Sequence, residues 1–152
     1  MTIDYRKKYL KYKIKYLEMK EKKQHKKMKG GELKIEEDLD KIMGEMKIDN
    51  NSFLKLIKNN TEDILVIIYA HWCYHCVNMI KNIGPQLKSN SNSNRIKYLD
   101  GTKLTEELKN KLEIQGFPTI IKISKGSDIN KLNKKEYEGP REVVDIINFL
   151  DN

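Results

Sequence analysis

Two cysteines stand three positions apart in the segment Trp72-Cys73-Tyr74-His75-Cys76 of this 152-residue chain. A continuous apolar run, residues 64–69, ends just before the pair, and a helical pattern follows it, so Cys73 is predicted at a helix N-terminus. Backbone N–H groups and the helix dipole favour a thiolate over a thiol there. The spacing brings the second sulfur one turn below the first, within reach of a disulfide. We therefore predict a pair of thiols that opens and closes reversibly.

His75 adjoins Cys76, and in its protonated form it would favour the Cys73 thiolate, so that the disulfide becomes a better oxidant. Two other interpretations stay open: buried inert thiols, or half of a metal site that His71 or His75 completes. Two cysteines are too few for a disulfide scaffold or a four-cysteine zinc site, and four ligands from residues 71–76 would collide with helix geometry. We predict no metal and no cofactor, and we place His71, taken alone, at the rim of the site.

The elements that must position the cysteines alternate between strand and helix from about residue 45. The apolar run at 64–69 is typical of a central strand covered on both faces. Residues 32–46 predict a short helix that packs against the domain. Further strands are predicted at 46–48, 96–99, 120–123 and before Gly139, and further helices at 50–57, from Cys76 to Gly84-Pro85, at 104–112 and at 143–150. This order predicts an α/β domain with a central mixed sheet and helices on both faces.

Positive charge is concentrated at the start of the chain. Residues 1–29 hold twelve of the 30 Lys and Arg residues but three of the 22 Asp and Glu residues, a net charge of +9, and the rest of the chain carries −1. Tyrosines at helical spacing predict an amphipathic helix over residues 3–28, and Gly30-Gly31 predicts a hinge after it. We therefore divide the chain into a basic helical arm with its hinge, residues 1–31, and a folded domain, residues 32–152.

Three motifs in this order resemble the thioredoxin-like family. They are the Trp72–Cys76 segment after Tyr69-Ala70, Gly116-Phe117-Pro118-Thr119, and Tyr137-Glu138-Gly139-Pro140-Arg141 before an apolar helix. The resemblance spans roughly residues 45–152 and implies a thioredoxin-like fold. His75 and the Gly-Pro-Arg segment are more similar to the active-site domains of protein disulfide isomerases than to thioredoxin.

The resemblance also implies roles for the site residues. Cys73 would attack a substrate disulfide and Cys76 would resolve the mixed disulfide, or the oxidised pair would donate its disulfide to a reduced protein. A cis Phe117-Pro118 bond would face the sulfurs beside an extended substrate, and Arg141 would lower the pKa of Cys76; a solvated Arg141 at a helix start is the alternative. The tuning residues would be Tyr74, His75 and Arg141, and the substrate-binding residues Trp72, Phe117 and Pro118.

Two positions depart from that family. Five residues before the tryptophan the family carries a buried acid, but this chain has Ile67, so we expect Cys76 to lose its proton slowly unless water or Arg141 compensates. The family also has a helix-kinking proline where this chain has Lys81, while Pro85 comes four residues later. We expect a straighter helix up to Gly84.

The expected function is thiol–disulfide exchange with protein thiols and disulfides, in cooperation with a sulfhydryl oxidase or a reductase. The alternative is a non-catalytic binding module tethered by its arm. Lysines and tyrosines in the arm suit nucleic acid, an anionic membrane surface or an acidic partner, and a simply solvated face is the other interpretation. Neither a transmembrane segment nor a secretory signal is predicted, so we expect a cytoplasmic location. The arm resembles leaders in proteins of large DNA viruses, which would place the chain in a viral factory or virion.

Overall fold

The computed structural model describes residues 30–152 and Lys13. In that part of the chain, helices pack on both faces of one four-stranded sheet. The helices are α1 (Gly30–Met43), α2 (Asn50–Asn59), α3 (Tyr74–Ser89), α4 (Glu106–Leu112) and α5 (Val143–Asp151), and the strands are β1 (Ile64–Tyr69), β2 (Ile96–Asp100), β3 (Thr119–Ile123) and β4 (Lys134–Glu136). This is the thioredoxin-like fold that the resemblance implied. Apart from Lys13, the helix predicted over residues 3–28 lies outside the described residues.

The sheet is mixed, and its strand order is β2-β1-β3-β4. β1 pairs in parallel with β2 and antiparallel with β3, and β3 pairs antiparallel with β4. All six residues of β1 are buried, as the apolar run predicted for a central strand. The carboxyl ends of β1 and β2 therefore lie side by side, because Tyr69 is in register with Asp100.

Alternation along β1 divides the core between two layers. Leu65, Ile67 and Tyr69 pack with α1, α3 and α5. Ile64, Val66 and Ile68 face the opposite side and pack with α2 and α4. Successive side chains of a strand point to opposite faces, so a six-residue run that is apolar throughout requires helices on both sides. Both cysteines belong to the first layer.

Helix α1 packs on α3, as predicted for residues 32–46. Leu39 and Met43 are fully buried. The contact is close at Gly84, where a Cβ atom would lie 2.5 Å from Ile42 Cγ2. Gly30 and Gly31 are the first residues of α1. The hinge predicted at these glycines stays a prediction, since the residues between Lys13 and Gly30 are outside the described part.

The structure corrects three predictions. The strand expected to end at Gly139 ends at Glu136. Residues 46–48 do not form a strand: a 3-10 turn, Gly44–Met46, is followed by one parallel bridge from Lys47 to Tyr98. Helix α3 does not stop at Gly84-Pro85 but continues through Pro85 to Ser89. A helical proline costs one backbone hydrogen bond, and burial of Leu87 beyond it offsets that loss.

None of the helices described combines the length and the apolar composition that crossing a bilayer would require.

Candidate active site

Cys73 lies in the turn between β1 and α3, directly before the helix. It is the N-cap residue of α3, with an extended backbone (φ −83°, ψ 112°), and its Sγ accepts a hydrogen bond from the Cys76 backbone N–H at 3.3 Å. Its own N–H donates to the Ala70 carbonyl at 3.0 Å, which closes the turn after the strand. An N-cap side chain normally accepts such a bond through oxygen, so here a sulfur takes that place. This confirms the predicted position of Cys73 at a helix N-terminus.

The surroundings of Cys73 favour its thiolate. A hydrogen bond from the Cys76 side chain is the main cause that lowers the pKa of Cys73, to about 7; burial opposes it, and the Cys76 N–H, the Lys13 ammonium ion and the His75 N–H assist it. A free cysteine titrates near 8.5. At neutral pH a substantial fraction of Cys73 is therefore an anion.

Cys76 has the opposite character. It is fully buried in the layer formed with α1 and α5. Burial, followed by the hydrogen bond to Cys73 and the charge of that thiolate, raises the pKa of the Cys76 thiol. The pair is thus unequal: its surroundings favour the thiolate at Cys73 and the thiol at Cys76.

An aromatic platform adjoins the cysteines. Trp72 and Phe117 meet edge to face with ring centroids 5.9 Å apart, and the Phe117-Pro118 bond is cis, as the resemblance implied. The Cys73 thiol lies 3.5 Å from the Phe117 carbonyl oxygen, to which it can donate. We call the two rings the Trp72–Phe117 platform. Trp72, Phe117 and Pro118, predicted to bind substrate, are thus gathered beside Cys73.

The predicted tuning residues lie farther out. Tyr74 is 73% exposed and meets the ring of His75 edge to face at 5.8 Å. His75 is also exposed, and its contribution to the lowered pKa of Cys73 is the hydrogen bond from its backbone N–H. Arg141 is exposed before α5, and no contact within the described part of the chain joins it to either cysteine. Their roles stay predictions.

Lys13 is a site residue that sequence reasoning missed. Its Nζ lies 3.3 Å from the Phe117 ring centroid and 5.5 Å from the Trp72 ring centroid. Burial lowers the pKa of Lys13 to about 8, and the charges of Cys73 and Cys76 counteract this effect. Twelve cations crowd residues 1–29, and nothing in the sequence distinguishes this one from its neighbours.

The position of the family's buried acid is apolar here. Ile67 is fully buried in the layer that contains Cys76. Tyr69, two residues on along the same face of β1, carries a hydroxyl, but burial and the nearby carboxylates, Asp100 foremost, raise the pKa of that phenol. A neutral tyrosine is a poor proton acceptor, so neither residue can replace the acid as a base.

Glu36, His71 and Asp100 form a group that could hold a metal ion, with ligand atoms within 4.8 Å of one another. His71 is half-buried, and its Nδ1 is enclosed with no hydrogen-bond partner among the residues that the structure describes. Asp100, however, already accepts bonds from the N–H and hydroxyl of Thr102, at 2.9 and 2.6 Å. Neither Cys73 nor Cys76 belongs to this group of three residues. Among the described residues, the alternative in which His71 completes a cysteine metal site therefore gains no support from this group.

A family model described as Thioredoxin matches residues 44–152. Protein disulfide-isomerase A3 of Gallus gallus is 34% identical over 102 residues, which cover 65% of this chain and 19% of that protein. A protein disulfide-isomerase A6 homolog of Caenorhabditis elegans is 33% identical over 106 residues, covering 67% and 22% respectively. The chain therefore spans about a fifth of the length of these relatives.

Solved structures share the fold. The first thioredoxin domain of mouse protein disulfide-isomerase A4 superposes with a TM-score of 0.52 at 24% identity, covering 69% of this chain and 71% of that one. Mitochondrial thioredoxin 3 of Saccharomyces cerevisiae, in its oxidised form, gives 0.51 at 19% identity, covering 69% and 92%.

Proposed function

Because the chain belongs to the thioredoxin family, we propose that it is a thiol–disulfide oxidoreductase that exchanges disulfides with protein substrates through Cys73 and Cys76. The observation that carries the proposal is the inequality of the two thiols. Cys73 has a lowered pKa at the start of a helix, whereas Cys76 is fully buried with a raised pKa. An attacking sulfur and a resolving sulfur need these opposite properties.

In the reducing direction the Cys73 thiolate attacks one sulfur of a substrate disulfide. A bond forms between Cys73 and that sulfur, and the other substrate sulfur leaves as a thiolate. Burial, the main cause of the raised pKa of Cys76, persists, but Cys73 has lost its negative charge, so the repulsion that also raises that pKa is gone. Cys76 loses its proton to water and attacks Cys73 Sγ, and the bond from Cys73 to the substrate breaks, so that the second substrate sulfur leaves as a thiolate. Two electrons pass to the substrate, and the cysteine pair becomes a disulfide.

In the oxidising direction the same steps run backwards, and the pair accepts two electrons from two substrate thiols. Isomerisation needs only the mixed disulfide and no net transfer of electrons. A sulfhydryl oxidase or a reductase would restore the starting state of the pair. Ile67 stands where the family has a carboxylate that could accept the Cys76 proton. We therefore expect the attack of Cys76 on the mixed disulfide to be the slow step.

Two single variants test the assignment. In insulin reduction with dithiothreitol, or in renaturation of scrambled ribonuclease, Cys73→Ser should abolish turnover. Cys76→Ser keeps the attacking thiolate but cannot resolve, so it should accumulate a mixed disulfide with the substrate that non-reducing gels detect. Lys125→Gln, at an exposed position just beyond the end of β3 and away from the cysteines, serves as the control and should retain most activity.

The rival function is a binding module without catalysis. A protein of that kind would keep its partner after Cys73→Ser and would trap no mixed disulfide in Cys76→Ser. If wild-type protein neither reduces insulin nor renatures ribonuclease under these conditions, the proposed function is wrong.

A further inference from the structure

Lys13, from the basic arm, is seated on the Trp72–Phe117 platform beside the cysteines. Its ammonium nitrogen is within cation–π distance of both rings, and much closer to Phe117 than to Trp72. The side chain is half-buried, unlike an ordinary surface lysine. The rings that it covers are those predicted to receive an extended substrate.

Electrostatics couple this lysine to the state of the cysteines. Seating an ammonium ion in a half-buried place costs solvation, which is why the pKa of Lys13 falls to about 8. The ring faces and the negative charge of the sulfurs offset part of that cost. A disulfide carries no charge, so oxidation of the pair removes the sulfur contribution and leaves only the rings.

We propose that Lys13 is a redox-sensitive cover for the site: in the reduced protein it stabilises the Cys73 thiolate and occupies the Trp72–Phe117 platform, and in the oxidised protein it is held less firmly. Lys13 thereby acts as a positioning residue that tunes the nucleophile. An incoming protein must displace it from the platform before it can lie beside Pro118. The importance of the cover for turnover depends on the proposed function, but its existence can be tested without turnover.

The first test measures the thiolate directly. The rate of Cys73 alkylation by iodoacetamide is followed against pH in full-length wild-type protein and in Lys13→Gln, Lys13→Arg and Lys125→Gln. We expect Lys13→Gln to raise the midpoint by about half a pH unit, because an adjacent positive charge is lost. Lys13→Arg keeps that charge and should restore the wild-type midpoint.

Lys125→Gln is the matched control for the loss of one positive charge. Lys125 is exposed just beyond the end of β3. Ile123 of β3 pairs with Ile64 at the start of β1, whereas the cysteines follow the other end of that strand. The control should therefore leave the midpoint unchanged.

The second test uses Trp72, the one tryptophan in the sequence, as a reporter of the cover. Acrylamide quenching of its fluorescence is compared between wild type and Lys13→Gln, once with dithiothreitol and once after oxidation by glutathione disulfide. In the reduced state we expect a steeper Stern–Volmer slope for the variant, because the ring has lost its cover. After oxidation the two slopes should converge.

Equal alkylation midpoints for wild type and Lys13→Gln, or equal quenching slopes in the reduced state, would overturn the proposal. Slopes that differ as much in the oxidised state as in the reduced state would also overturn it, because the position of Lys13 would then not depend on the charge of the sulfurs. None of these readouts involves a protein substrate. If Lys13 covers Trp72 but the protein has no activity, the proposed function is wrong and the Lys13 proposal stands. If the protein is active but Lys13 does not cover Trp72, the proposed function stands and the Lys13 proposal is wrong.

Discussion

At the scale of single residues, the site depends on a hydrogen bond between two thiols that are only one turn apart. The first cause of the lowered pKa of Cys73 is the bond from the Cys76 side chain. That bond needs a donor at position 76 but not a sulfur. The contribution of the helix N-terminus, through the backbone N–H groups of Cys76 and His75, remains whatever the side chain is.

This distinction gives a prediction for Cys76→Ala and Cys76→Ser. Wild-type alkylation should be half-maximal near pH 7, because Cys73 gains reactivity as it loses its proton at about that pH. Cys76→Ala removes the donor and should move the midpoint upward, toward the value of about 8.5 for a free thiol. Cys76→Ser keeps a donating hydroxyl and should stay near the wild type. An unchanged midpoint in Cys76→Ala would assign the low pKa to the helix N-terminus instead.

The reactive pair could be predicted from the sequence because its chemistry is local: one strand, one turn and one helix start. Lys13 could not, since cation–π contacts with Trp72 and Phe117 join positions far apart in the chain. The same holds for Glu36, His71 and Asp100, which come from α1, from the loop after β1 and from β2. Contacts of this kind exist only once the helices have packed on the sheet.

At the scale of elements, the turn after β2 supports the aromatic platform. Gly101 begins a 3-10 turn, Gly101–Lys103, whose N-cap Asp100 accepts a bond from the Thr102 N–H at 2.9 Å. A Cβ atom at Gly101 would overlap Cε1 and Cζ of the Phe117 ring and lie 3.1 Å from Ile68 Cγ2. The ring of Phe117 can rest where it does because position 101 has no side chain.

We therefore expect Gly101→Ala to displace Phe117 from Trp72. Overpacking of this kind typically costs about 1–3 kcal/mol of unfolding free energy, which urea titration would measure. Trp72 fluorescence should change, and insulin reduction should slow without loss of Cys73 alkylation. Phe117→Leu in the same chain should recover stability, since the smaller side chain leaves room for the methyl group. If the two substitutions prove additive, the close contact is not the cause.

Element boundaries were predicted well where composition alone decides them. Six consecutive apolar residues define β1, and Ile64–Tyr69 is what the structure shows. Pro85 misled the prediction for α3, because a local helix-breaking preference was outweighed by burial of Leu87 beyond it. Met46 and Ile48 are apolar, but this segment forms one isolated bridge, from Lys47 to Tyr98, so strand pairing was overestimated there.

At the scale of the whole molecule, the surroundings of the cysteine pair set the relative stability of its reduced and oxidised states. Everything that stabilises the Cys73 thiolate stabilises the reduced protein relative to the disulfide, and this raises the reduction potential. The hydrogen bonds to Cys73 and the Lys13 charge act in that direction. The raised pKa of Cys76 keeps the second thiol neutral and adds no anion of its own.

Equilibration with glutathione at pH 7 should therefore give a potential nearer to about −180 mV, the value for protein disulfide isomerase, than to about −270 mV, the value for thioredoxin. The role of His75 can be separated in the same experiment. Its backbone N–H bonds Cys73 while its ring is exposed, so His75→Ala should shift the potential by less than about 30 mV, a tenfold change in the equilibrium constant. A larger drop would mean that the imidazolium ring itself holds the thiolate. A wild-type value near that of thioredoxin would instead make the chain a reductase, because the disulfide would then be too stable to be donated.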